Sequence, residues 1–231
     1  LLIYFLIKFF YRKADLIISN SKSGKKDLSE LCKTRVVNIH SPSFEFIKKK
    51  RRKKITKIFK LVAVGRLVKE KGYKTIIKAL HNLKIKNFNM QILGDGPEKN
   101  NLKNLISTLH LEKKIKLIGF KKNTTRYYDK SNLFINASLF EGFPNAVVEA
   151  INHNIPVICS NCKGGMNEIL SNGKGGDMFP VNDFEELSKK ITSFFKNPTN
   201  LNKKLVIARR NIKKYSISAH TKKYEKVFYE I

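Results

Sequence analysis

Short apolar runs alternate along this chain with longer stretches of mixed polarity, and that alternation sets what the chain can build. Residues 60–65, 89–94, 114–119, 132–138, 156–160 and 176–180 are runs short enough for buried strands. Between and after them, residues 73–83, 98–109, 124–130, 147–151, 166–170 and 183–195 read as helices, with further helix toward the C-terminus. Strands and helices in strict alternation predict an α/β fold, a parallel sheet wrapped on both faces by helices. Ligands of such sheets bind outside the carboxyl ends of the strands. A separate strand, helix and strand occupy residues 14–21, 22–31 and 35–40.

The first eleven residues are apolar but too short, and broken by Lys8, to span a bilayer, so a buried or membrane-surface helix is expected. They lack a starting Met and a small-residue cleavage pattern, which argues against a signal peptide. Residues 48–54 are seven adjacent cations that repel one another and resist burial, so residues 43–57 read as an exposed linker. Its plain reading is a solvated hinge, and its sharper one a contact for acidic lipid headgroups. The boundaries that follow are a first unit at 1–42, the linker, and a larger domain at 58–231.

Of the 231 residues, 42% are hydrophobic, enough for a core. Lys and Arg number 47 against 18 Asp and Glu, and 47 − 18 gives +29, which implies an anionic partner or surface. The cations are spread over every segment and no nucleic-acid motif is visible, so specific nucleic-acid binding is not expected. Cys32, Cys159 and Cys162 form no disulfide framework, consistent with a reducing cytoplasm. Cys159 and Cys162 have C-x-x-C spacing without a second ligand pair, and no His repeats a zinc spacing.

Candidate chemistry concentrates at residues 141–150, Glu-Gly-Phe-Pro-Asn-Ala-Val-Val-Glu-Ala. The stretch lies at a strand-to-helix turn: Gly142 permits the bend and Pro144 suits the first helical position. The backbone N–H groups of Asn145, Ala146 and Val147 are then expected to point out of a helix start, an arrangement that attracts phosphate. Glu141 in the turn and Glu149 in the helix suit sugar hydroxyls better than the phosphate itself, so a nucleotide-sugar fits. The competing reading makes both ordinary acids at a helix start. Gly65-Arg66 ends one strand and Lys71-Gly72 opens the next helix, bringing two cations to the same edge. Gly94 and Gly96, and likewise Gly164 and Gly165, are small enough for a ligand to approach backbone, and Phe120 is a candidate wall for a base. Glu168 reads as a helix-start acid.

Read in order, Gly65-Arg66-Leu67, Lys71-Gly72, Gly94-Asp95-Gly96-Pro97, Glu141 to Glu149 and Gly164-Gly165-Met166-Asn167-Glu168-Ile169 resemble family 4 of the retaining glycosyltransferases. The resemblance runs from about residue 14 to the C-terminus. It implies a GT-B architecture, two Rossmann-like domains across a cleft, here a C-terminal donor-binding domain preceded by the end of a truncated acceptor-binding one. It further implies that Arg66 and Lys71 hold the donor diphosphate, with Glu141 near the donor sugar and Glu149 near the ribose. No metal or other cofactor is implied, since Arg66, Lys71 and helix-end amides take the place of a divalent cation.

The expected activity is transfer of a hexose or N-acetylhexosamine from a nucleotide-sugar, expected to be UDP-linked, with retention of configuration. The acceptor is expected to be a polysaccharide or lipid-linked glycan, and a peripheral contact at the acidic inner face of the cell membrane goes with that expectation. A non-catalytic nucleotide-sugar or polyanion-binding protein is the alternative of a different class. A two-carboxylate hydrolase lacks a second acid placed to protonate a leaving oxygen.

Overall fold

The computed structural model describes residues 2–41, 44–47 and 58–230. The first unit contains α1 (Leu2–Tyr11), β1 (Ile17–Ser19), α2 (Lys22–Leu31) and β2 (Val36–Asn38), with β1 and β2 paired in parallel. The larger unit opens with β3 (Phe59–Val64), α3 (Tyr73–His81), β4 (Phe88–Leu93), α4 (Lys99–Thr108), β5 (Ile115–Gly119), α5 (Thr125–Lys130) and β6 (Leu133–Asn136). It continues with β7 (Phe140–Glu141), α6 (Asn145–Asn152), β8 (Val157–Ser160), β9 (Lys163–Gly164), α7 (Met166–Leu170), β10 (Asp177–Phe179), α8 (Phe184–Lys196), α9 (Thr199–Ile212) and α10 (Ile217–Phe228).

Six strands form one parallel sheet in the order β10-β8-β6-β3-β4-β5. Alternate side chains of each strand serve opposite faces. Leu61 and Ala63 of β3 join the core with Ile76, Ile77 and Leu80 of α3, whereas Val62 joins Phe134 of β6, Val147 and Ile151 of α6 and Leu205 of α9. Both faces of the central strands are therefore covered, which is why β6 and β8 are mostly apolar and wholly buried, whereas β4 and β5 carry the exposed Asn89 and Lys116. The chain leaves β3 toward β4 on one side, and β6 pairs on the other, so the sheet reverses direction between β3 and β6. Sheets of this kind bind their ligands at the carboxyl ends of the strands around such a reversal.

Three expectations change. The side chains described on α1 are not buried, Phe5 being 65% and Phe10 58% exposed, so the reading of a buried helix fails. Residues 44–47 are not linker: Phe44 is buried in the core beside Val62 and Val147, and Arg209 donates to the carbonyls of Ile47, Ile151 and Asn152. Asn152 completes the tie by accepting from the Ile47 N–H and donating to the Glu45 carbonyl. The basic run at 48–54 lies outside the described residues. Finally, α10 returns to the first unit instead of ending in the larger one: His220 packs against His40, and Arg35 donates to Glu230 at 2.7 Å. Among the described residues, no helix is long and apolar enough to cross a membrane.

Candidate active site

Glu141 is buried at the end of β7, where a lone carboxylate would be costly, and the surroundings answer it with donors. Its Oε1 accepts from Lys71 Nζ at 2.7 Å, Ser138 Oγ at 2.6 Å and Asn136 Nδ2 at 3.2 Å. Asn136 ends β6, and its Oδ1 accepts the Ser138 N–H at 3.1 Å, so the polar tail of a buried strand is folded into a cradle. Lys71 closes a 3-10 turn (Lys69–Lys71), and Gly72 follows in the left-handed region at φ 63° to start α3. Lys71 and Glu141 thus meet as an ion pair with side chains 23% and 8% exposed.

Beside this pair lies a cleft of about 340 Å³ lined by Val64, Gly65, Arg66, Leu93, Gly94 and Phe120, together with Asp95, Lys121 and Thr124. Its floor is apolar, Arg66 is exposed, and Phe120 stands at 73% exposure. Tyr73 holds the rim by donating its hydroxyl to the Gly65 carbonyl at 2.9 Å. Burial and the nearby Glu141 carboxylate push the Tyr73 phenol up, which keeps it protonated and a donor.

Glu149 sits apart from the Lys71–Glu141 pair, with its own partner. Tyr128 donates to Glu149 Oε2 at 3.0 Å, and the Tyr128 ring stacks on His153, whose Nδ1 lies 2.9 Å from Asp129 Oδ1. Burial pushes the Glu149 carboxyl up, against the opposing pull of the Tyr128 hydroxyl and His153. The two carboxylates therefore differ in environment, and in the structure they do not share one polar cluster.

The helix start differs from expectation. Pro144 is the cap rather than the first helical residue, and the N–H groups of Asn145 and Val147 are taken by the carbonyls of Phe143 and Pro144. A tight local turn consumes the donors that an ideal helix start would leave outward. Ala146 follows in the first turn, half-buried, and Val147 is fully buried. The glycines also have chain against them. A Cβ on Gly94, at φ 143°, would overlap the Gly65 carbonyl, and one on Gly164, at φ 109°, would overlap the Glu141 carbonyl. Gly96 likewise packs on Leu67, and Gly165 on Gly142. Their smallness lets the site loops close on one another.

Sequence reasoning missed Tyr73, Tyr128, Asn136 and Ser138. Two polar residues closing an otherwise apolar strand were the available signal for Asn136 and Ser138; the tyrosines gave none. Cys32, Cys159 and Cys162 are free and buried, and burial pushes the Cys159 and Cys162 thiols up, the state of inert thiols.

A doubly covered parallel sheet with its site at the strand reversal, facing part of a second parallel unit, defines a GT-B type glycosyltransferase fold. The chain belongs to the glycosyl transferases group 1, whose family model matches residues 44–216. An uncharacterized glycosyltransferase of Methanocaldococcus jannaschii is 36% identical over 177 residues, covering 71% of this chain and 44% of that protein. The N-acetylgalactosamine-N,N'-diacetylbacillosaminyl-diphospho-undecaprenol 4-alpha-N-acetylgalactosaminyltransferase of Campylobacter jejuni is 35% identical over 184 residues, covering 78% of this chain and 50% of that protein. The chain thus spans about half the length of these curated relatives. Among solved structures, Anabaena HepE in complex with UDP and glucose superposes with TM-score 0.88 at 18% identity, over 99% of this chain and 67% of that one. The pneumococcal O-GlcNAc transferase GtfA in complex with UDP and GlcNAc gives 0.84 at 21% identity, over 98% and 47%.

Proposed function

We propose that this chain is the donor-binding part of a retaining glycosyltransferase that takes a hexose or N-acetylhexosamine from a UDP-sugar. The observation that carries the reading is the ion pair of Lys71 with the buried Glu141 at the reversal of the sheet, next to an apolar-floored cleft at the carboxyl ends of β3, β4 and β5 that is rimmed by Arg66 and Phe120. The cleft suits a base against Phe120. Arg66 and Lys71 then face the diphosphate, whose charge grows as the bond to the sugar breaks, and fixed cations aimed there act in the transition state. Lys71 donates to Glu141; a diphosphate competes for its Nζ, leaving Ser138 and Asn136 to keep the carboxylate in place near the donor sugar. Glu149, oriented by Tyr128, accepts from the ribose hydroxyls.

The acceptor we propose is a lipid-linked or polysaccharide glycan, supported by the relative named for a diphospho-undecaprenol substrate. A peripheral contact with acidic membrane is supported by the exposed aromatic residues of α1 beside Lys8, Arg12 and Lys13. The test of the donor reading is a thermal-shift series with UDP, GDP and ADP and their sugars. UDP compounds are expected to raise the Tm, since a ligand at 100 times its Kd adds about 2.7 kcal/mol to the folded state. A shift with GDP or ADP compounds alone would reassign the nucleotide, and no shift with any would remove the reading.

A further inference from the structure

Glu168 lies on α7, just past the Gly164-Gly165 loop, and the donor reading gives it no task. Its side chain is only 11% exposed, and both oxygens are engaged with the first unit. Oε1 accepts the Lys22 N–H at 2.7 Å, and Oε2 lies 3.0 Å from His40 Nε2. Lys22 is the first residue of α2, where N–H groups lack helical partners and negative charge is favoured. Ser21, the residue before the helix, already caps the Gly24 N–H, so Glu168 acts as a second cap from 146 residues away.

The other end of this connection is fixed as firmly. Asn211 donates to the carbonyls of Glu168 and Ile169, holding α7 to α9. The Gly165 N–H donates to the carbonyls of Glu141 and Gly142, holding the start of α7 to the candidate donor turn. His40 is wedged between the rings of Phe143, at 5.0 Å, and Tyr215, at 4.7 Å. One short helix therefore carries the turn of Glu141 at its beginning and the cap of α2 a residue or two later.

We infer that Glu168 is a positioning residue, a latch whose carboxylate fixes α2 and His40 of the first unit against the 141–143 turn. This goes beyond the donor reading and stands without it. Loss of the carboxylate frees the first turn of α2 and loosens His40 against Phe143, while the sheet and its distant helices keep their packing.

The latch has a pH signature. The titratable and charged groups around it are Lys22 on α2, His40 after β2, Lys214 and Tyr215 in the 3-10 turn (Lys213–Tyr215), and His220 and Lys223 on α10. Burial pushes the Glu168 carboxyl up, but the bonds from His40 and the Lys22 N–H outweigh it and hold the group below its usual range. A depressed carboxyl stabilises above its unfolded value, and that contribution is lost as pH falls through the folded one.

Amide hydrogen exchange on the 231-residue chain, corrected for intrinsic rates, tests this. In Glu168→Ala, residues 22–24 and 141–143 are expected to exchange about tenfold faster or more, with α8 and α9 unchanged. Glu168→Gln keeps an acceptor for the Lys22 N–H and should restore much of the protection at 22–24. Wild-type protection there should fall on acidification, and Glu168→Gln should abolish that dependence. Unchanged exchange at 22–24 in Glu168→Ala, a uniform rise across the chain, or an identical pH profile in Glu168→Gln would each overturn the latch.

Discussion

Lys71 and Arg66 are both cations near one cleft, yet they have opposite relations to stability. Lys71 neutralises a carboxylate that is 8% exposed, whereas Arg66 stands in solvent at the cleft rim. Removing one partner of a buried pair leaves an uncompensated charge and costs about 3–5 kcal/mol, whereas exposed substitutions stay within about 0.5 kcal/mol. Urea denaturation of Lys71→Ala and Arg66→Ala should show this contrast; equal losses would mean that the pair does not hold the turn. Glu149 offers the reverse separation of function from stability. Its raised carboxyl favours the fold below the unfolded value, and that contribution is lost as pH rises through the folded value, so at neutral pH the ionised group is a cost. Glu149→Gln should therefore raise the Tm at pH 7, with the difference from wild type closing on acidification. Donor affinity should nevertheless drop about ten- to a hundredfold, as expected for a charged hydrogen bond of roughly 1.5–3 kcal/mol. An unchanged affinity would remove the ribose role.

At the scale of elements, the alternation of apolar runs and helical stretches placed β3 to β6, β8, β10 and their helices within a few residues, and α2 at its observed bounds, because both faces of the central strands are covered and apolar residues dominate most of the strands. The short pair β7 and β9 was not legible: two residues each, Phe140–Glu141 with Lys163–Gly164, carry no periodicity. That pair is where Gly164 presses on the Glu141 carbonyl, and no local pattern shows that two loops 23 residues apart will touch. The glycine motifs were visible, but from sequence alone a glycine admitting a ligand looks like one admitting another loop. Gly164→Ala tests the second reading. An overlap with backbone at positive φ should cost about 1–3 kcal/mol or more in chemical denaturation, while a neutral outcome would return the space to a ligand.

For the whole molecule, the charge of +29 and the exposed aromatic residues of α1 act together only at a surface that is both acidic and apolar. Vesicles with anionic lipid should bind the chain far better than neutral vesicles, since each Lys or Arg near the surface contributes about 1 kcal/mol, and added salt should weaken the binding. Phe5→Ser with Phe9→Ser should reduce vesicle binding and leave nucleotide binding alone; equal binding to neutral vesicles would separate the charge from the membrane. Nucleic acid should bind only weakly and with steep salt dependence.

The central claim, that this sheet presents a diphosphate site between Arg66 and Lys71, is tested most directly by calorimetry with UDP and uridine on wild type and Arg66→Ala. UDP is expected to bind wild type more tightly than uridine does, and Arg66→Ala should lose about tenfold or more for UDP while uridine binding stays nearly unchanged. Equal losses for both ligands, or equal wild-type affinities for UDP and uridine, would contradict the account.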